Sequence, residues 1–218
     1  MPAVDGSPLS EDIANVASHV LRMLGLVREA TGLARRALIE QDEEAAERCM
    51  AGDAQIDAMQ AELEMRILTV IARRQPAARD LRFLGASFQA LHDIERAGDY
   101  AEHVAGAALE LAKEPPLKRY LDLQRCFEVL AEMIDATMTA YAEEDAYAAR
   151  RAHAMDQVID DLYEQIQREL LTYMLESPAA IGRANRLLEV ARYLERLGDH
   201  IENVNEHIVF WLTGERRM

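Results

Sequence analysis

The chain has 218 residues, half of them hydrophobic, with 39 Asp and Glu against 24 Lys and Arg for a formal net charge of −15. Nucleic-acid binding needs clustered basic side chains to neutralise phosphates, and the pairs Arg35-Arg36, Arg73-Arg74 and Arg150-Arg151 are scattered among acids, so that class is excluded. No run of eighteen apolar residues is present and Met1-Pro2-Ala3-Val4-Asp5 lacks a basic n-region, so neither direct membrane insertion nor a signal peptide is expected.

The elements follow in chain order. Residues up to about Pro8 read as a short tail. Ser7-Pro8 supplies an N-cap and a proline at N1, predicting a first helix to about Glu40. Asp42 caps a second helix reaching Arg74, which Gln75-Pro76 breaks because the residue before proline resists the α region. A third helix runs from about Ala78 to Lys113, and Glu114-Pro115-Pro116 separates two halves, 9–114 and 117–214. The second half repeats the plan. A fourth helix spans about Leu117 to Glu143, and a fifth runs from the Asp145 cap to near Leu175. Ser177-Pro178 opens a sixth, which reaches Leu212 before Gly214. Glycine and proline are scarce and no strand pattern appears, so the fold expected is all-α. Cys49 and Cys126 lie far apart in helical segments without a CxxC, as expected of reduced, partly buried thiols in a cytosolic protein.

The halves are copies of one another. Glu95-Arg96-Ala97-Gly98-Asp99 recurs 100 positions later as Glu195-Arg196-Leu197-Gly198-Asp199, and Glu102 and Val104 recur as Glu202 and Val204. Upstream, Gln41-Asp42 and Asp53-x-x-Ile56-Asp57 recur at an offset of 103 as Glu144-Asp145 and Asp156-x-x-Ile159-Asp160. A three-residue shortening between the second and third helix of each half reconciles the offsets. The pattern predicts a tandem duplication of a three-helix unit too small to be very stable alone.

Each motif places Glu, Asp and Glu at i, i+4 and i+7, on one stripe of a helix. Carboxylates at that spacing repel one another, and a mid-helix glycine costs about 1 kcal/mol relative to alanine. A helix that accepts both penalties twice gains something from that face, and a cation is the obvious candidate. The apolar seams stand apart: Ser87, Ala90, Ile94, Ala97, Ala101, Val104, Ala108 and Leu111 in the first half, and Leu187, Val190, Leu194, Leu197, Ile201, Val204, Ile208 and Trp211 in the second. Spaced three and four apart, these residues are core. The acids therefore flank the core, facing outward or into a groove shared with a neighbouring helix. Asp53 and Asp57, like Asp156 and Asp160, repeat the one-turn spacing on the preceding helix. Antiparallel packing would set the pairs face to face, giving one carboxylate groove per half suited to Mg, Mn, Ca or ferric iron. The competing reading is a solvated acidic face with ordinary Arg96–Asp99 and Arg196–Asp199 ion pairs. His92 and His103 have Arg192 and Asn203 as counterparts, which speaks for surface or supporting residues over ligands.

The doubled Glu-Arg-x-Gly-Asp motif at this spacing, with the closing Ile208-Val209-Phe210-Trp211-Leu212-Thr213-Gly214-Glu215, resembles the PhoU family of phosphate-uptake regulators over about 14–215. The resemblance implies two tandem three-helix bundles and multinuclear metal clusters of iron, or of Mg, Mn or Zn, on the bundle surface. It points to Glu95, Asp99, Glu195 and Asp199 opposed by Asp53, Asp57, Asp156 and Asp160, with Glu102 and Glu202 added on stripe geometry. It also implies a non-enzymatic negative regulator of the phosphate-starvation response and of phosphate uptake. Such a regulator is an adaptor between the ATPase subunit of an ABC phosphate transporter and a sensor histidine kinase, cytoplasmic, homodimeric, and peripheral at the inner membrane through its partners. Ala97 and Tyr100 stand where the second copy has Leu197 and His200, so the two sites are expected to differ in shape. Two other classes compete: a ferritin-like di-metal enzyme, and a plain helical scaffold. The first usually needs two Glu-x-x-His motifs, and none of the six histidines has Glu three residues before it.

Overall fold

A computed structural model describes residues 7–215. The expected N-terminal tail and the segment scanned for a signal peptide fall largely outside these residues. The chain forms seven helices among the described residues: α1 (Pro8–Ile39), α2 (Glu43–Arg74), α3 (Ala78–Leu111), α4 (Leu121–Glu143), α5 (Ala146–His153), α6 (Asp156–Glu176) and α7 (Ile181–Thr213), with a 3-10 turn at Pro178–Ala180. No strand occurs among them, and no described helix is long and apolar enough to cross a membrane. The architecture is all-α, two three-helix bundles in tandem, with α5 and α6 together taking the place of one helix.

Local chemistry accounts for the ends. The Ser7 hydroxyl accepts from the Ser10 amide at 3.2 Å, ahead of Pro8 in the first turn of α1. The first loop of each half is built alike: Gln41 and Glu144 both take the left-handed conformation (φ 54° and 56°), and the next residue caps a helix. The Asp42 carboxylate accepts from the Ala45 amide, and Asp145 accepts from the Tyr147 and Ala148 amides. Gly214, at φ 80°, closes α7.

Four boundaries differ from those expected. α3 stops at Leu111, where the chain turns at 112–113, and α4 starts only at Leu121, after bends at 117–118, with the Lys118 ammonium tied to Glu169 of α6. Ser177 makes no capping hydrogen bond from its side chain. The fifth helix is broken at Ala154–Met155, where the Met155 amide donates to Ala152 O and the Val158 amide to Met155 O. These i→i−3 bonds tighten one turn. Neither alanine nor methionine breaks helices, so nothing local announced the break.

Every residue of the two predicted apolar seams is buried. The broadest helix–helix interface joins the halves through α3 and α7. It runs antiparallel: Phe83 packs on Trp211 at 4.8 Å, and further along Tyr100 meets Tyr193 at 6.1 Å between ring centroids. That register sets the two Glu-Arg-x-Gly-Asp segments side by side across the interface, in pseudo-twofold relation.

Candidate metal centres

In the first half, α2 and α3 bring together Asp53, Asp57 and Asp99, each offering a carboxylate oxygen within 4.8 Å of the others. In the second half, α6 and α7 bring Asp156, Asp160 and Asp199 equally close. Glu95 and Glu102, and Glu195 and Glu202, lie half-buried beside these nests on the same stripes. The helix packing thus converges three aspartates per half, with the glutamates of the same stripes as a flanking set.

The motif glycines show why the approach is so close. A Cβ at position 98 would fall 2.9 Å from the Ile56 Cδ1 and 3.8 Å from the Asp53 Oδ1. At position 198 it would fall 2.4 Å from the Asp156 Oδ1 and 3.0 Å from the Ile159 Cδ1. Real Cβ atoms do not sit under 3.0 Å from such neighbours. The glycines are cradles: without a side chain there, α2 and α6 lay an isoleucine and an aspartate almost onto the backbone of the motif helix.

The electrostatics are those of confined like charge. Burial first, then Asp57, Glu102, Asp99 and Glu95, push the Asp53 carboxyl up to about 6. Burial first, then Glu202, Asp160, Asp199 and Glu195, push Asp156 up to about 7. Desolvation also raises Glu95, Asp160, Glu195 and Glu202. The Oδ1 of Asp53, the Oε2 of Glu95 and the Oδ1 of Asp156 are buried with no hydrogen-bond partner, and Asp156 is 4% exposed. Buried polar atoms are nearly always satisfied in folded proteins. The arginines offset only part of the charge: Arg96 pairs with Asp99, and Arg196 reaches Asp199 at 3.0 Å and Glu195 at 3.5 Å. Converging hard oxygens with unpartnered lone pairs are a donor set that a multivalent cation satisfies and water-excluded protein does not.

Of the histidines considered from sequence, His92 is exposed with its Nδ1 3.9 Å from Glu95, and His103 is exposed against Tyr100 and Tyr193. Tyr100 and His200 stack on one another at 5.7 Å across the α3–α7 seam, while Ala97 and Leu197 are core. Sequence reasoning missed a further polar cluster beside them. Asp93, 9% exposed, accepts from His200 Nδ1 at 2.9 Å, Asn203 Nδ2 at 3.1 Å and His207 Nε2 at 3.0 Å. These bonds outweigh burial and hold its carboxyl well below the usual carboxylate range. A lone aspartate on an otherwise apolar face of the third helix was the available signal, but its partners lie more than 100 residues away.

A family model described as the PhoU domain matches residues 20–108 and again 123–208. Named relatives include the phosphate-specific transport system accessory protein PhoU homologs of Deinococcus radiodurans and Pseudomonas aeruginosa. The first is 43% identical over 95% of this chain and 98% of its own; the second is 35% identical over 93% and 84%. Among solved structures, PhoU from Pseudomonas aeruginosa superposes with a TM-score of 0.91 at 34% identity, over 94% of this chain and 99% of that one. The phosphate transport system regulatory protein PhoU from Streptococcus pneumoniae gives 0.90 at 26%, over 96% and 99%.

Proposed function

The chain belongs to the PhoU family, and from that premise we propose that it is a regulatory accessory protein of a phosphate transport system. Membership across both halves carries this reading, since relatives of nearly equal length bear that name. Its finer content is negative regulation: the protein restrains phosphate-starvation signalling and phosphate uptake as a non-enzymatic adaptor between a transporter ATPase subunit and a sensor histidine kinase. It acts as a cytoplasmic homodimer held near the membrane by these partners.

Within that reading, each half binds cations through the carboxylates of two helices. Asp53, Asp57 and Asp99 hold the first site and Asp156, Asp160 and Asp199 the second, with Glu95, Glu102, Glu195 and Glu202 as further ligands of a multinuclear group. Bound cations supply the positive charge that the converging acids lack. The chain's own contribution is to clamp α2 onto α3 and α6 onto α7, so that occupancy sets the stiffness of the surface offered to partners. The unpartnered, buried Asp156 oxygen supports this over a plain solvated face. The acids lie off the apolar seams, which favours a surface regulator over a di-metal oxidase built into a bundle core.

Deleting the gene from its host and measuring phosphate-starvation gene expression in phosphate-rich medium tests the regulatory reading. Derepression that the unsubstituted gene reverses is expected, and unchanged expression would refute it. Metal content of gently purified protein, compared with an Asp53→Asn/Asp57→Asn/Asp156→Asn/Asp160→Asn variant, tests the sites separately. Equal content in the two would leave only a scaffold.

A further inference from the structure

The two carboxylate pockets are not chemically equivalent, and the difference lies where the fifth predicted helix breaks. At the 103-residue offset that aligns Asp53 with Asp156, His153 stands where the first half has Met50. In the first half α2 passes this point unbroken and Met50 is exposed. In the second, α5 ends at His153, one tightened turn intervenes, and α6 begins at Asp156. The imidazole is half-buried against α7, with Nε2 3.3 Å from the Glu202 Oε1 and Nδ1 buried without a hydrogen-bond partner. Glu202 belongs to the acidic stripe of α7 and is the strongest charged neighbour of Asp156, whose Oδ1 is itself buried and unpartnered. The first pocket has Cys49 as its nearby soft atom, but that Sγ donates toward the Ala30 and Ala101 carbonyls at 3.4 and 3.6 Å and is turned into the core.

We propose that the second pocket, unlike the first, takes a borderline divalent transition ion such as Zn²⁺, with the His153 imidazole as nitrogen ligand beside the Glu202 carboxylate, at the edge of the Asp156, Asp160 and Asp199 nest. This rests on the reading that the pockets hold cations. It adds that the halves have diverged in which cation each prefers. Ligand bonds of about 2.0–2.1 Å put neighbouring ligand atoms about 3.0–3.4 Å apart on one ion, and the His153–Glu202 separation of 3.3 Å falls in that range. Imidazole suits Zn, Ni, Co and Fe(II), whereas an all-oxygen nest suits Mg, Ca and Mn. An uncharged nitrogen donor also adds no repulsion to a pocket already crowded with carboxylates.

The test uses the full chain carrying Asp53→Asn, Asp57→Asn and Asp99→Asn, which leaves the second pocket alone. Zn²⁺ and Mg²⁺ are titrated calorimetrically with and without His153→Gln, circular dichroism verifying the helices. The expected result is a Zn²⁺ Kd raised by about tenfold or more in the His153→Gln protein with the Mg²⁺ Kd within about twofold, as for loss of one ligand in a tuned site. Zn K-edge X-ray absorption of the second-pocket protein should show imidazole scattering, a measurement that needs no substitution at 153. Oxygen-only scattering, an unchanged Zn²⁺ Kd, or equal loss of Zn²⁺ and Mg²⁺ would overturn the proposal while leaving the pockets as cation sites. Failure of the unsubstituted chain to bind any divalent cation would overturn both readings together.

Discussion

The carboxylate of Asp156 rests directly on the backbone of Gly198: a Cβ at that position would fall 2.4 Å from its Oδ1. Gly198→Ala should therefore expel Asp156 from the second nest. Calorimetric titration of a divalent cation should show affinity at that pocket falling by about tenfold or more, the size of effect expected when a supporting contact of a ligand is lost. Gly98→Ala should be milder. The close atom there is the tip of the flexible Ile56 side chain, and alanine recovers about 1 kcal/mol of helix propensity. Equal effects of the two substitutions would contradict the cradle geometry.

Stability without cations should rise as the solution is acidified. Asp53 and Asp156 are raised to about 6 and about 7, against about 3.9 for an unfolded aspartate. Between these values the folded chain binds more protons than the unfolded one, so stability falls as pH increases through roughly 4 to 7. Thermal melts in chelator should give a Tm several degrees higher near pH 5 than near pH 8, at roughly 2–4 °C per kcal/mol for a chain of this size. Divalent cations should close most of that gap at pH 8 and do little at pH 5. A Tm that climbs with pH in chelator would rule out the confined-charge picture.

Asp93→Ala removes the acceptor shared by His200, Asn203 and His207 at the interface of α3 and α7. Leaving such donors unmatched in a largely buried place should cost about 2–4 kcal/mol, measured by guanidinium denaturation. A loss below about 0.5 kcal/mol would show that the cluster holds nothing together.

Burial pushes the Cys49 and Cys126 thiols up to about 12, each 2% exposed. A thiolate-specific reagent such as dithionitrobenzoate should titrate neither in native buffer and both in denaturant. Fast labelling of the native protein would mean that the helix packing over one of these thiols opens.

The capped starts of α1, α2 and α5, the internal duplication and the rows of acids were legible in the linear sequence because each is a short-range property. A cap is set within four residues, a seam within one or two turns, and a stripe of Glu95, Asp99 and Glu102 by helical periodicity alone. The same locality limited what could be seen. The cost of placing Gly98 and Gly198 in mid-helix was visible, but the reason was not, since Ile56 and Asp156 approach from another helix.

The chain's own order of residues determined that there would be two copies of a three-helix unit, each carrying a row of carboxylates beside an apolar seam. Only tertiary packing decided that α3 would lie antiparallel on α7, that Asp93 would find its partners more than 100 residues away, and that the turn at Ala154–Met155 would set His153 against Glu202. Periodicity is written one turn at a time. Which charges meet across an interface is set by the packing of side chains distant in sequence, and the α5–α6 break is made of residues that by themselves favour helix.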